Sequence, residues 1–144
     1  MDHETLLQVG AMLNDRCQRG VQNLLPEELD YIFLWELNAE IDDGTFDRYL
    51  CNSCGDRAID VVGALERLGS VQMVGVLKRA LSLLPGGWCL DLDQRRIRVM
   101  AVPNYSQQFR VLTEEYYNAL SDEDVVSERM MVRIADAYRR AGIL

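Results

Sequence analysis

At 144 residues, with 49% hydrophobic and 26% charged side chains, the chain has the make-up of one globular domain, long enough to bury about two thirds of the surface it would expose unfolded. Its net charge of −8 is regional: residues 27–66 hold eleven acids against Arg48 and Arg57, a balance of −9, while the remainder holds twelve acids against thirteen bases, a balance of +1. Such a surface repels nucleic acid and anionic membrane and attracts basic partners over a Debye length of about 8 Å at physiological salt, so direct nucleic-acid binding is set aside.

Helical periodicity dominates the chain. Leu6, Leu7, Met12 and Leu13 predict a first helix from near Glu4 to around Gly20. Pro26 takes the first position of a second, long helix, with Leu25 before it as an apolar staple and Glu27 and Glu28 in its positive first turn. The core side of that helix is Leu29, Phe33, Leu37 and Ile41. A second apolar side, Tyr31, Leu34 and Trp35, makes it either the central helix of the bundle or a helix partly covered by another subunit. Gly44 breaks it, and Phe46, Tyr49 and Leu50 form a short amphipathic turn before the punctuation Cys51-Asn52-Ser53-Cys54-Gly55. Ser53 with Asp56 has the spacing of a capping box for a helix lined by Ala58, Val61, Val62, Leu65 and Leu68 and closed by Gly69. Ser70 then caps a helix carrying Met73, Val74, Leu77, Leu81 and Leu84 to its stop at Pro85, and the two read as an antiparallel hairpin.

From Gly86 to Asn104 the pattern weakens into a loop, with Ile97-Arg98-Val99 as a short extended piece. Phe109, Leu112, Tyr116, Tyr117 and Leu120 restore helical spacing. Ser121 with Asp124 opens a last helix, whose core side is Val125, Met130 or Met131, Ile134 and Tyr138 and whose end falls near Gly142. The sum is an all-α single domain over residues 1–144: about seven helices around one long central acidic helix, with an ill-defined loop at 86–104.

Between Glu27 and Asp47 stand eight carboxylates and no Lys or Arg. Like charges one helical turn apart destabilise by about 0.2–0.5 kcal/mol per pair, so the run Glu36, Glu40, Asp43 and Asp47 is a tolerated cost that points to a partner outside the chain. The candidate partner-binding residues are therefore Glu36, Glu40, Asp42, Asp43 and Asp47. A helical turn advances about 6 Å and one DNA strand carries a phosphate every ~3.4 Å of axis, so such a row matches alternate phosphates only approximately, and full mimicry needs acids from neighbouring helices or a second subunit. The plain alternative is a solvated face that keeps the chain in solution.

No catalytic constellation accompanies the acids. His3 is the sole histidine and lies near a terminus, which removes triads and His-based acid–base pairs. Cys51-x-x-Cys54 sits in no βαβ setting, and Cys17 and Cys89 stand at irregular spacing for zinc, so all four are expected as structural thiols. Asp42-Asp43 with Asp47 is a single, Gly44-interrupted copy of an aspartate-rich magnesium motif. A calcium loop would require ligands where Ala39 and Ile41 stand, and Asp91-x-Asp93 lacks the rest of that loop. Arg95, Arg96 and Arg98 form one basic cluster, expected in a solvated loop or an intersubunit salt bridge. The expectation is a non-enzyme without cofactor or metal. The opening Met1-Asp2-His3-Glu4-Thr5 lacks the marks of a secretory leader and no run approaches a membrane span, which favours a cytoplasmic address with reduced cysteines.

The block from Leu34 to Tyr49, with Asn52-Ser53-Cys54-Gly55-Asp56-Arg57-Ala58 and Ala64-Leu65-Glu66-Arg67-Leu68-Gly69 after it, resembles the bacterial DNA-mimic-protein group of acidic all-α domains. That group has Asn-Gly-Gly-Phe where this chain has Asp43-Gly44-Thr45-Phe46, and Asn-Ser-Ser-Gly-Asp where it has Asn52-Ser53-Cys54-Gly55-Asp56. The similarity covers Tyr31 to Pro85 and, more loosely, the last helices. It implies a homodimer that occupies the nucleic-acid site of a basic DNA-binding protein such as a transcription regulator. The rival reading is a helical interaction domain that binds through the apolar surface of Tyr31, Leu34 and Trp35, with acidity serving only solubility.

Overall fold

Asp2 opens the first helix by accepting the Thr5 N–H at 2.8 Å, and from there the computed structural model describes residues 1–120 and 123–144, without the side chains of Val21, Glu123 and Asp124. Among the described residues all regular structure is helical: α1 (His3–Gln18), α2 (Pro26–Asp43), α3 (Phe46–Leu50), α4 (Ala58–Arg67), α5 (Val71–Ser82), α6 (Leu92–Met100), α7 (Tyr105–Leu120) and α8 (Glu123–Arg140). Short 3-10 turns at Val21–Asn23 and Ser53–Arg57 link them. The capping box expected at Ser121 and Asp124 lies outside the described residues.

Local chemistry sets most boundaries. Pro26 begins α2, and Glu28 turns back to accept the Leu25 N–H at 2.8 Å, the half of a capping box that an apolar N-cap residue still allows. Gly69, at φ +72°, closes α4: its N–H reaches the Glu66 carbonyl and the Ser70 N–H reaches the Leu65 carbonyl, a Schellman ending that favours glycine. The expected α4–α5 hairpin follows. Neither Ser53 nor Ser70 caps a helix through its side chain, and Asp56 turns instead to Arg95.

α2 is the central helix, packed against α3, α4, α8 and the Ser53–Arg57 turn; α5 packs on α7 and α1 on α8. Its buried apolar side is Leu34, Leu37 and Ile41, with Leu29 and Phe33 only half-buried, so the inward stripe is rotated from the one expected. In α8 Met130, Ile134 and Tyr138 are buried as expected, but Val126 takes the inward place expected of Val125. Each fully buried leucine, such as Leu37, Leu65 or Leu77, contributes about 1.5–3 kcal/mol.

The segment expected as a loop at 86–104 contains a helix. α6 is capped by Asp91, which accepts the Gln94 N–H at 2.8 Å, and it buries only Arg95 and Val99. A helix that hides so little apolar surface has no apolar period to read, which is why an eighth helix was not expected. Arg95 is fully buried and donates to the carbonyls of Leu50 (2.6 Å), Asn52 (2.9 Å), Cys89 and Leu90 (3.1 Å each) and to the Asp56 carboxylate (2.8 Å). Arg96 donates to the Cys51 carbonyl and Arg98 to that of Gly87. Arg96 thus stays exposed and Arg98 ties α6 to the α5–α6 link, while Arg95, no part of a solvated loop, is an internal staple across the α3–α4 connection. Gly55 lies beneath it, and a Cβ there would stand 2.6 Å from the Tyr49 carbonyl oxygen, a backbone atom that cannot yield.

Candidate functional site

The acids of α2 separate along the helix axis. At its start, Glu27 pairs with Arg140 of α8 at 3.0 Å. Glu28 is fully buried and receives two bonds from Arg16 of α1 (both 2.8 Å), one from the Tyr138 hydroxyl of α8 (2.7 Å) and the Leu25 N–H. Burial pushes its carboxyl up, but the Arg16, Leu25 and Tyr138 bonds outweigh that and hold it below the usual carboxylate value. Asp30, also buried, takes a two-pronged pair from Arg67 of α4 at 2.6 and 2.9 Å, with Arg133 of α8 at 3.9 Å. These three carboxylates hold α1, α4 and α8 onto α2. The charge that read as outward-facing is spent inside the fold there.

Midway along, Glu36 receives both prongs of Arg57 at 2.9 Å, with the Arg57 guanidinium also 5.2 Å from the centre of the Phe33 ring. Glu40 pairs with Arg48 at 3.2 Å and accepts from the Asn52 amide at 3.0 Å. Glu36 and Glu40 face one polar groove of about 480 Å³, shared with Asn52, Cys54 and Arg96.

The end of α2 differs. Asp42 and Asp43 are exposed, and neither carboxylate has a cationic partner among the described residues. The Tyr117 hydroxyl of α7 lies 2.8 Å from the Ile41 carbonyl and 3.2 Å from an Asp42 carboxylate oxygen, and donates between them. Arg48 engages only the Asp43 backbone carbonyl, at 3.0 Å. Asp47 opens α3 half-buried and accepts from the Thr45 hydroxyl; burial pushes its carboxyl up. The five candidate residues therefore occupy two places, a groove-lining, ion-paired Glu36 and Glu40 and an exposed helix end at Asp42 and Asp43, with Asp47 beside the latter on the next helix.

Sequence reasoning missed the arginines that meet these acids. Arg48 and Arg57 were visible, but their targets follow from the turn of chain at Gly44 and Gly55, not from spacing. Tyr117, one of the residues that restore helical spacing, is 40% exposed, with its hydroxyl clamped to α2. The adjacent pair Tyr116-Tyr117 held a signal, since neighbours on a helix diverge by about 100° and two rings of that size face different sides, of which Tyr116 takes the core.

A second surface lies alongside. Trp35, 61% exposed, borders an apolar cleft of about 290 Å³ formed by Tyr31, Leu34 and Asn38 of α2 with Leu120, Met130 and Met131. All four cysteines are free, and burial followed by the nearby Glu40 and Glu36 carboxylates pushes the Cys54 thiol up to about 11, away from the thiolate that redox exchange needs. Among the described residues no three His, Cys, Asp or Glu side chains are grouped to hold a metal, and no helix is long and apolar enough to cross a membrane.

No curated protein and no solved structure matches the chain. A family model described as DMP19-like protein matches residues 22–140, from within the turn before α2 to the last residue of α8, and so spans the Tyr31–Pro85 block that carries the resemblance. The chain belongs to the DMP19-like protein family, the DNA-mimic group its motifs resemble.

Proposed function

We propose that the chain is a non-enzymatic acidic binding protein that occupies the nucleic-acid site of a basic DNA-binding protein such as a transcription regulator. The observation that carries this reading is the pair Asp42 and Asp43: exposed, without a cation on either carboxylate among the described residues, at the end of a helix whose other acids are matched by arginines. Carboxylates in the last turn of a helix oppose its dipole by about 0.3–1 kcal/mol each, so they cost the fold stability. Glu36 and Glu40 join them as carboxylates already oriented by Arg57 and Arg48, and Asp47 flanks them from α3. Arg48, whose side chain is half exposed, is the cation that an incoming basic side chain displaces most easily.

Binding of this kind weakens steeply with salt. The test is capture by the immobilised chain from its host at low salt, compared with a D42N/D43N/D47N variant of equal helicity. The captured protein is expected to be displaced by duplex DNA and to release its own DNA when the chain is added. Equal capture by the variant, or indifference to DNA, overturns the reading. The homodimer is tested by sedimentation equilibrium. The alternative, binding through apolar surface alone, draws on the exposed Trp35 and would be nearly insensitive to salt.

A further inference from the structure

We infer that the cleft beside Trp35 and the acidic end at Asp42 and Asp43 form one docking track for a basic, amphipathic helical segment of the partner. Tyr31, Trp35, Asn38 and Asp42 fall at i, i+4, i+7 and i+11 on α2 and so form one stripe along the helix. The first three border the cleft, and among the described residues no charged side chain lines it. Charge begins at Asp42, one turn beyond Asn38, about 6 Å along the axis.

On the stripe, the Asn38 carbonyl oxygen already accepts the Tyr116 hydroxyl at 2.6 Å and an Asp42 carboxylate oxygen lies 3.2 Å from the Tyr117 hydroxyl, while the walls of the cleft are mainly Leu34, Trp35, Leu120, Met130 and Met131. The cleft therefore calls for apolar atoms and its end calls for cations. At about 290 Å³ it lies at the lower limit for a small-molecule pocket, yet it suits the side chains of a helix laid in a groove, and an exposed tryptophan on its rim is the residue type that anchors such contacts. Trp35 and Asp42 are seven residues apart, about 10.5 Å, so a helix lying alongside matches both with an apolar side chain and an Arg or Lys seven positions apart. Its positive N-terminal end points toward Asp42 and Asp43. The inference rests on the proposed function only for the basic character of the partner.

The probe is a synthetic helical peptide of about 15 residues, long enough to hold helix in part, with arginines in its first turns and leucines at helical spacing after them. Binding is read by Trp35 fluorescence in a Trp88→Phe background and by anisotropy of labelled peptide. Trp35→Ala is expected to weaken binding about tenfold or more at every salt concentration, and Met131→Gln on the opposite wall to weaken it in the same salt-independent way. D42N/D43N is expected to weaken it at low salt and to have no effect near 1 M, where the Debye length is about 3 Å. Equal binding of a leucine-to-serine peptide overturns the inference while leaving the DNA-mimic reading in place. Self-association of the chain that Trp35→Ala abolishes also overturns it, because a second copy then fills the cleft. Tight, Trp35-dependent peptide binding by a chain that releases no protein from DNA supports the inference and removes the DNA-mimic reading.

Discussion

If Asp42 and Asp43 serve a partner rather than the fold, their neutralisation must make the protein more stable. Both lie in the last turn of α2, which holds no basic residue, and each carboxylate opposes the helix dipole by about 0.3–1 kcal/mol. The D42N/D43N variant keeps the Tyr117 bond, because an amide oxygen accepts as a carboxylate does, and it loses only a water-screened attraction to the exposed Arg48. The net expectation is a gain of about 0.5–1.5 kcal/mol, or a rise in Tm of roughly 1–6 °C for a chain of this length. Glu28→Gln is the control at the other end of the helix. It removes a buried charge from Arg16 and Tyr138 and is expected to cost about 2–4 kcal/mol. Urea and thermal unfolding, followed by circular dichroism, measure both. A D42N/D43N variant that loses more than about 1 kcal/mol, on the scale of a helix-end effect, would show that these acids belong to the fold, and the functional reading of the helix end would fall.

Because the Glu28 carboxyl is held below its ordinary value in the folded state, its stabilisation is fully present above about pH 4.3 and is lost as pH falls through the folded value; Glu28→Gln should flatten the acid limb of stability measured between about pH 2 and 7. Arg95→Met leaves the carbonyls of Leu50, Asn52, Cys89 and Leu90 without their donor and Asp56 without its cation, and is expected to lower stability by about 3–5 kcal/mol in urea unfolding. Arg95→Lys should recover less than half of that, since an ammonium cannot span five acceptors. Cys54 in the native protein should react with a disulfide reagent about tenfold more slowly than in the urea-unfolded chain, because burial and the nearby carboxylates keep the thiol protonated and the greater nucleophilicity of a high-pKa thiolate offsets only part of that; equal rates would contradict this environment.

The helical class, the hairpin of α4 and α5 and the ends at Pro26, Gly69 and Gly142 are written in local chemistry: apolar period, a proline at the first position and glycines at positive φ. α6 is not, because its buried anchor is Arg95, and a guanidinium that satisfies four carbonyls leaves no apolar pattern. The inward rotation of α2 was also obscured, since Glu28 and Asp30 occupy buried positions that a polarity pattern assigns to solvent.

By itself the sequence determined how much negative charge α2 carries and that no base lies within that stretch. Only the tertiary structure decided what becomes of it. Arginines from α1, α4 and α8 reach the beginning of the helix and cancel its acids, Arg57 and Arg48 reach its middle, and none pairs with the carboxylates of Asp42 and Asp43 among the described residues. A charge is a property of a residue, whereas a field is a property of where every other charge has been placed.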